Sequence, residues 1–90
     1  MSVNEFFTSR NIQVGRLPEQ VLERARQTIE KLENGQPYWK LRGKRLQRDR
    51  STISIPLGRR RRILAEDVNG SLRVRAVISH QTYNTLLKLV

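Results

Sequence analysis

Two features of this sequence have the residue types and spacing that site chemistry requires. The first is a run of four arginines, Arg59 to Arg62, whose planar guanidinium groups suit phosphate and carboxylate oxygens. The second is His80, the only imidazole in the chain. With no cysteine and one histidine, the sequence excludes a thiolate nucleophile, a zinc ribbon, an iron–sulfur centre and a His-rich metal site. We therefore expect neither a metal site nor a cofactor.

The charge of the chain is concentrated in one segment. Eighteen basic residues, 14 of them arginine, stand against eight acidic ones and give a net charge of +10. Ten of the basic residues lie between Tyr38 and Ile63, where Asp49 is the only acid. These ten are Lys40, Arg42, Lys44, Arg45, Arg48, Arg50, Arg59, Arg60, Arg61 and Arg62. A one-sided field of this kind attracts polyanions, which favours nucleic acid binding. A solvated face or a docking surface for an acidic protein segment remains the alternative.

The length and hydropathy of the chain limit its class. Ninety residues are enough for one small domain, which we expect to span residues 1–90. No run of eighteen apolar residues is present, so we expect no contact with a membrane. Residues 1–10 lack the apolar stretch of a secretion signal. The sequence predicts a soluble, cytoplasmic, basic protein.

One helix is predicted over residues 18–34. Pro18 and Glu19 are typical of a first helical turn, and Asn34-Gly35 is typical of a helix end. The apolar positions between them recur at helical spacing; they are Val21, Leu22, Ala25, Ile29 and Leu32. The preceding residues, 1–16, are ambiguous. Phe6 to Val14 fits either an edge strand or a packing arm, and we favour the strand.

Residues 52–79 have the alternation of an antiparallel sheet. Thr52 to Leu57 and Arg59 to Glu66 are two predicted strands separated by Gly58, and a turn at residues 67–70 leads into a third. In the third strand Leu72, Val74, Ala76 and Ile78 are expected on one face, toward the helix, with Arg73 and Arg75 on the other. The second face is then basic, concave and uncovered by apolar residues.

The expected fold is therefore α+β. One main N-terminal helix packs on a small antiparallel sheet of three to four strands, and a short C-terminal helix begins near Thr82. Tyr38 and Trp39 are expected to shield the seam between helix and sheet.

The order of short motifs resembles the RelE/ParE toxin superfamily of bacterial toxin–antitoxin systems. Lys40-Leu41-Arg42-Gly43 after a helix, an alternating strand, and Gly58 followed by arginines and Ile63-Leu64 are similar to the pattern of that family. The closing element is Val77 to Tyr83. The resemblance covers roughly residues 18–86 and implies the RelE/ParE-like fold.

The resemblance implies three alternative functions. The first is a metal-independent endoribonuclease that cleaves messenger RNA, in some members on the ribosome. The second is a ParE-like inhibitor that binds DNA gyrase. The third is a non-toxic RNA- or ribosome-binding module on the same fold, because a fold does not fix a function. A toxin would also bind a cognate antitoxin through an acidic or amphipathic segment.

If the endoribonuclease branch applies, the resemblance assigns roles to three catalytic candidates. Arg62 matches the strand arginine that clamps the phosphate, although Arg60 lies equally near Gly58. His80 is a candidate general base or acid, and Tyr83 is a candidate to stack on a base or to hydrogen-bond near the phosphate. Arg73 and Arg75 are candidates for flanking phosphates, as are the basic residues of the segment between Tyr38 and Ile63. The structural alternatives are a helix-capping His80 and a packing Tyr83.

Overall fold

The computed structural model describes residues 2–47 and 49–89, and side chains as far as residue 85. The elements are α1 (Val3–Ser9), α2 (Glu19–Glu33), a 3₁₀ turn (Tyr38–Leu41), β1 (Lys44–Arg45), β2 (Thr52–Leu57), β3 (Arg61–Val68), β4 (Ser71–Ser79) and α3 (His80–Leu89). The strands form one antiparallel sheet in the order β1-β2-β3-β4. The predicted α+β fold is confirmed, and the fourth strand comes from the basic segment. None of the described helices has the length and apolar character needed to cross a membrane.

The predicted main helix is confirmed as α2. It begins after Pro18 and ends before Asn34, as the proline and Asn-Gly signals indicate. Its stripe buries Leu22, Ala25 and Ile29 in the same core as the alternating apolar residues of the sheet. The sheet contributes Ile53, Ile55, Leu57, Ile63, Ala65 and Val77 to this core. Burial of these side chains is the main force that holds helix and sheet together.

The prediction of an edge strand over residues 6–14 is wrong for most of that segment. Residues 3–9 form α1, with the Ser2 hydroxyl accepting the first-turn amide of Glu5 at 3.2 Å. Phe6 and Phe7 are both buried. A helix turns adjacent side chains by only about 100° and buries both in one core, whereas a strand would point them to opposite faces. Only Gln13 pairs with the sheet, in an isolated parallel bridge to Ala76 on β4, so the segment acts as a packing arm.

The predicted faces of the last strand are wrong beyond Arg75. The hairpin itself is tight, with Asn69 (φ 55°) and Gly70 (φ 88°) in the left-handed region that two-residue hairpin turns favour. However, Leu64 pairs with Ala76 and Ala65 pairs with Val74. Arg75 is therefore an extra residue, a β-bulge that reverses the facing of every later position. As a result Val77, and not Ala76 or Ile78, enters the main core.

The second face of the sheet is partly covered, contrary to the expectation of an open basic surface. Helix α3 follows β4 directly and packs against β3 and β4. Its Tyr83 side chain is only 5% exposed but lies outside the main core cluster. The side chains of Leu86 and Leu87, and the whole of Val90, lie outside the described part of the chain. The C-terminal helix is thus a lid over one end of the sheet.

Candidate functional site

Arg62 is held in place from two sides on the second face of the sheet. It is half-buried in β3 opposite Pro56 and Ile78. Its Nη1 donates to the hydroxyl of the fully buried Ser54 at 3.3 Å. Its Cζ lies 4.8 Å from the ring centre of Tyr83, within the range of a cation–π contact. The guanidinium is therefore positioned before any ligand arrives.

His80 lies at the same end of the sheet, at the start of α3. Its backbone amide donates to the carbonyl oxygen of Arg60 at 2.6 Å, which joins α3 to the turn between β2 and β3. The Ser79 hydroxyl, and not His80, caps the helix by accepting the amide of Thr82 at 3.0 Å. The exposed imidazole is centred 6.3 Å from the ring centre of Tyr83. Of the three side chains predicted as catalytic, Arg62 and His80 thus both lie beside the third, Tyr83.

Tyr83 is the member of this group whose predicted role depends most on exposure. A ring that is 5% exposed and lies beside the Arg62 guanidinium has no free face for a nucleic acid base. Stacking on a base is therefore incompatible with this conformation. The observed contact instead fits a residue that orients Arg62.

The four arginines from 59 to 62 do not share one face. Arg59 and Arg60 are exposed in the turn between β2 and β3, and the strand begins only at Arg61. Arg61 and Arg62 are consecutive strand residues and so point to opposite faces. Within the described part of the chain, none of the four is ion-paired with a carboxylate. Their charge is available to an anionic partner.

Arg73 and Arg75 were expected to lie beside Arg62, but the structure places them elsewhere on the sheet. Arg73 pairs with Glu66 across the sheet, and Ile78 pairs with Arg62. On β3 the two positions, Arg62 and Glu66, are four residues apart, which is roughly 13 Å along a strand. Arg75 Nε is ion-paired with Glu66 Oε2 at 3.0 Å. Phosphate binding by these two arginines remains a prediction for a different part of the surface.

In the basic segment before β2, one described cation is bound to other groups of the protein and the others are exposed. Arg45 is committed to the fold: its Nη2 donates to Asp67 Oδ2 at 2.5 Å and its Nη1 donates to the carbonyl oxygen of Arg50. The side-chain hydrogen bond from Arg45 lowers the pKa of Asp67, with a smaller contribution from the amide of Gly70. The exposed members of the segment are Lys40, Arg42, Lys44 and Arg50. Arg48, which was also predicted to bind nucleic acid, lies outside the described residues.

Asp49, the one acid of this segment, forms no ion pair with any arginine that the structure describes. Its carboxylate accepts hydrogen bonds from the hydroxyls of Thr52 at 2.6 Å and Ser51 at 2.7 Å. These bonds lower the pKa of Asp49. The acid therefore fixes the turn that leads into β2.

Trp39 was missed as a candidate. Tyr38 packs against the core as expected, but Trp39 is 64% exposed and follows the chain into the basic segment. The sequence signal was available, because an aromatic next to Lys40 is a common composition for a nucleic acid surface. The expectation that Trp39 shields the seam is wrong.

The Leu-Arg-Gly motif has a structural reason in this chain. A Cβ on Gly43 would lie 2.8 Å from Ile55 Cγ1 and 2.9 Å from the carbonyl oxygen of Tyr38. Arg42 before it adopts a left-handed conformation with φ 65°. Glycine lets the segment close against the core and enter β1. The glycine of the motif thus serves the fold, whereas the Arg42 side chain is exposed.

Among the described residues, no group of three or more His, Asp or Glu side chains is arranged to hold a metal ion.

The comparisons with known proteins give one match, to a family model. No curated protein and no solved structure matches the chain. A family model described as a ParE-like toxin domain matches residues 19–85, which run from the start of α2 into α3. The predicted relation to the RelE/ParE toxins is confirmed: the chain belongs to the family of ParE-like toxin domains and is a toxin of the toxin–antitoxin type, with a cognate antitoxin as its partner.

Proposed function

We propose that this toxin cleaves RNA at the end of the sheet where Arg62 and His80 lie. The observation that carries the proposal is the Arg62 guanidinium, which is held by Ser54 and Tyr83 and has no carboxylate partner among the described residues; the exposed imidazole of His80 neighbours the same Tyr83 ring. A fixed cation beside a proton-transfer group is the arrangement that phosphodiester cleavage by an internal nucleophile requires.

The proposed reaction is transesterification within the RNA strand. His80 takes the proton of a ribose 2′-hydroxyl, and the resulting oxygen attacks the adjacent phosphorus. The bond from O2′ to phosphorus forms and the bond from phosphorus to O5′ breaks, with O5′ taking a proton from water. Arg62 stabilises the charge that grows on the non-bridging oxygens. The products are a 2′,3′-cyclic phosphate and a 5′-hydroxyl end.

Tyr83 is assigned a positioning role in this proposal. Its buried ring holds the Arg62 guanidinium by a cation–π contact, which a phenylalanine ring also provides. Tyr83→Phe is therefore expected to retain cleavage to within about threefold, whereas Tyr83→Ala is expected to raise KM and lower kcat together because Arg62 loses its support.

The exposed basic residues would bind the phosphates on either side of the cleaved bond. The exposed arginines next to Arg62 are Arg59 and Arg60, and the basic segment adds Lys40, Arg42, Lys44 and Arg50. If about five phosphates are contacted, log K for single-stranded RNA falls with log salt at a slope of about −3.5. A response to salt that is flat over the same range would contradict RNA binding.

The test is cleavage of a labelled RNA by the purified toxin and its variants. Arg62→Ala is expected to slow cleavage by roughly 100-fold or more, and His80→Ala by on the order of 100-fold. Arg26→Gln is the matched control: it removes one positive charge from α2, where Arg26 is paired with Glu23 and Glu30. The proposal fails if Arg62→Ala and His80→Ala both fold, as judged by circular dichroism, and cleave RNA like the wild type.

A second candidate function is inhibition of DNA gyrase by protein binding, which the similarity to the ParE-like model favours. In that case His80 and Arg60, both exposed at the start of α3 and the adjoining turn, would be contact residues and no bond would be broken. A supercoiling assay with purified gyrase separates the two. Inhibition of supercoiling without RNA cleavage, lost in His80→Ala, would replace the nuclease proposal.

A further inference from the structure

A second cluster of arginines surrounds a cleft on the opposite face of the sheet from Arg62. The cleft has a volume of about 260 Å³ and lies between α2 and the turn that joins β2 to β3. Its lining consists of Val21, Arg24, Leu57, Gly58, Arg59, Arg60 and Arg61. Four of these seven residues are arginines and none is acidic. A cleft lined by one sign of charge raises the local concentration of counter-ions, so the lining favours an anion.

Arg24 lies at this cleft, and the positions of α2 that a helical ion pair would use, three and four residues away, contain no acid. Two residues further along the helix, Arg26 takes both nearby acids, Glu23 and Glu30. Arg24 has no carboxylate partner among the described residues. Its Nη1 instead lies against the turn, 3.7 Å from the position that a Cβ on Gly58 would occupy. The Arg24 guanidinium therefore lies beside the backbone of the turn at Gly58, whose φ of 67° favours glycine.

Arg61 provides an unmet hydrogen-bond donor in the same place. Its Nε is buried, and no acceptor lies within reach in the described part of the chain. A buried donor without an acceptor costs about 1–3 kcal/mol, more for a charged group, and such a group calls for a water or an ion. The neighbours of Arg61 in the cleft are other arginines, which offer donors and not acceptors at their side chains. An anion in the cleft would be bound by the outer nitrogens of this guanidinium and would offset the charge that its buried Nε leaves without an acceptor.

We infer that the cleft binds a phosphate group, held by Arg24 and Arg61 with Arg59 and Arg60 at its rim. A tetrahedral phosphate accepts paired hydrogen bonds from guanidinium groups. The inference rests on the proposed function for the source of the phosphate, which is the backbone of the RNA strand that is cleaved at Arg62. Because Arg61 and Arg62 point to opposite faces of β3, the strand passes around the turn between β2 and β3 and is held on both sides of it.

The first experiment tests the cleft with inorganic phosphate alone. The Nε–Hε signals of the arginines are followed by nitrogen-15 NMR of the full chain during titration at constant ionic strength. The Arg61 signal is expected to move to saturation, and its apparent Kd is expected to weaken at least fivefold in Arg24→Gln but not in Arg26→Gln. An absent or non-saturating response, or equal weakening in both variants, overturns the inference. An equal shift with glutamate in place of phosphate assigns the cleft to a protein carboxylate and also overturns it.

The second experiment asks whether the phosphate belongs to RNA. Binding of an uncleavable 2′-O-methyl oligonucleotide is measured by fluorescence anisotropy over a range of salt. Arg24→Gln is expected to weaken binding several-fold and to reduce the salt slope by about 0.7, the value for one contact with a single strand. An unchanged slope, with phosphate still bound, overturns the assignment to RNA.

The two proposals can fail separately. Wild-type protein that binds phosphate and the oligonucleotide through Arg24 but leaves RNA intact removes the nuclease and keeps the cleft. Wild-type protein that cleaves RNA with no effect of Arg24→Gln on either phosphate or oligonucleotide removes the cleft and keeps the nuclease.

Discussion

Both ends of the sheet contain arginines, but only the arginines at one end are ion-paired with carboxylates. At the end near the Asn69-Gly70 turn, Arg45 is paired with Asp67 and Arg75 with Glu66. At the other end, near Gly58, Arg59 to Arg62 have no carboxylate partner among the described residues. The placement of acids, and not the number of arginines, therefore decides which end has unpaired cations. Under the proposed function, these unpaired cations are the ones that bind the RNA.

The strongest way to break this contrast is to pair Arg62. Pro56 is its neighbour on β2, and side chains at directly opposite positions have Cβ atoms about 4.5–5.5 Å apart. Pro56→Glu is expected to ion-pair with Arg62 and to slow RNA cleavage by roughly 100-fold, as the loss of a transition-state cation does. Pro56→Gln makes the same change of backbone without the charge and should stay within about threefold of the wild type. Equal loss in the two variants would mean that the proline, and not the free charge, matters.

The next effect concerns the stability of the fold and not the free charge. Gly43 immediately precedes β1, and any side chain there meets Ile55 and the backbone of Tyr38. Gly43→Ala is expected to lower the free energy of unfolding by about 1–3 kcal/mol, the usual cost of overpacking. Urea denaturation measures the loss. At low temperature, where the variant is still folded, its cleavage rate should match that of the wild type. A lower rate in a fully folded variant would show that this part of the sheet also contributes to cleavage.

Much of the fold could be predicted from the sequence because it depends on local pattern. The stripe of α2, the alternation of β2 and the Asn69-Gly70 turn each follow from neighbouring residues. The bulge at Arg75 could not be predicted, because it arises from the register between two strands. Helix α1 was missed for a related reason: Phe6 and Phe7 show no clear period, and tertiary burial decides their conformation.

The candidate site divides along the same line. Arg62 and His80 could be selected from the order of motifs, and the structure brings them together around Tyr83. The burial of Tyr83 could not be foreseen, because it depends on how α3 folds back on the sheet. Arg24 was hidden by the near neutrality of α2. No acid lies three or four residues from Arg24 on α2, and the structure shows Glu23 and Glu30 both paired with Arg26.

The paired end also predicts a dependence of stability on pH. The hydrogen bond from Arg45 lowers the pKa of Asp67 below its ordinary value of 3.8. A carboxyl group with a lowered pKa in the folded state stabilises the protein above the unfolded value, and this stabilisation is lost as the pH falls through the folded pKa. Asp67→Asn should therefore be less stable than the wild type at neutral pH, and the difference should shrink below pH 3.8. Urea midpoints between pH 2 and 7 measure it; a constant difference would contradict the role of this pair.

The smallest effect should come from freeing an arginine at the paired end. Glu66 and Arg75 are both well exposed, so their ion pair contributes little to stability but does neutralise one cation. Glu66→Gln is expected to strengthen binding of single-stranded RNA two- to threefold and to steepen the salt slope by up to about 0.7. Glu5→Gln, which removes an exposed acid from α1, controls for the change in net charge. If the two variants bind RNA equally, pairing by Glu66 is not what keeps Arg75 from the nucleic acid, and distance along β4 is the better explanation. If only Glu66→Gln gains affinity, pairing with an acid is what distinguishes Arg75 from the unpaired arginines near Gly58.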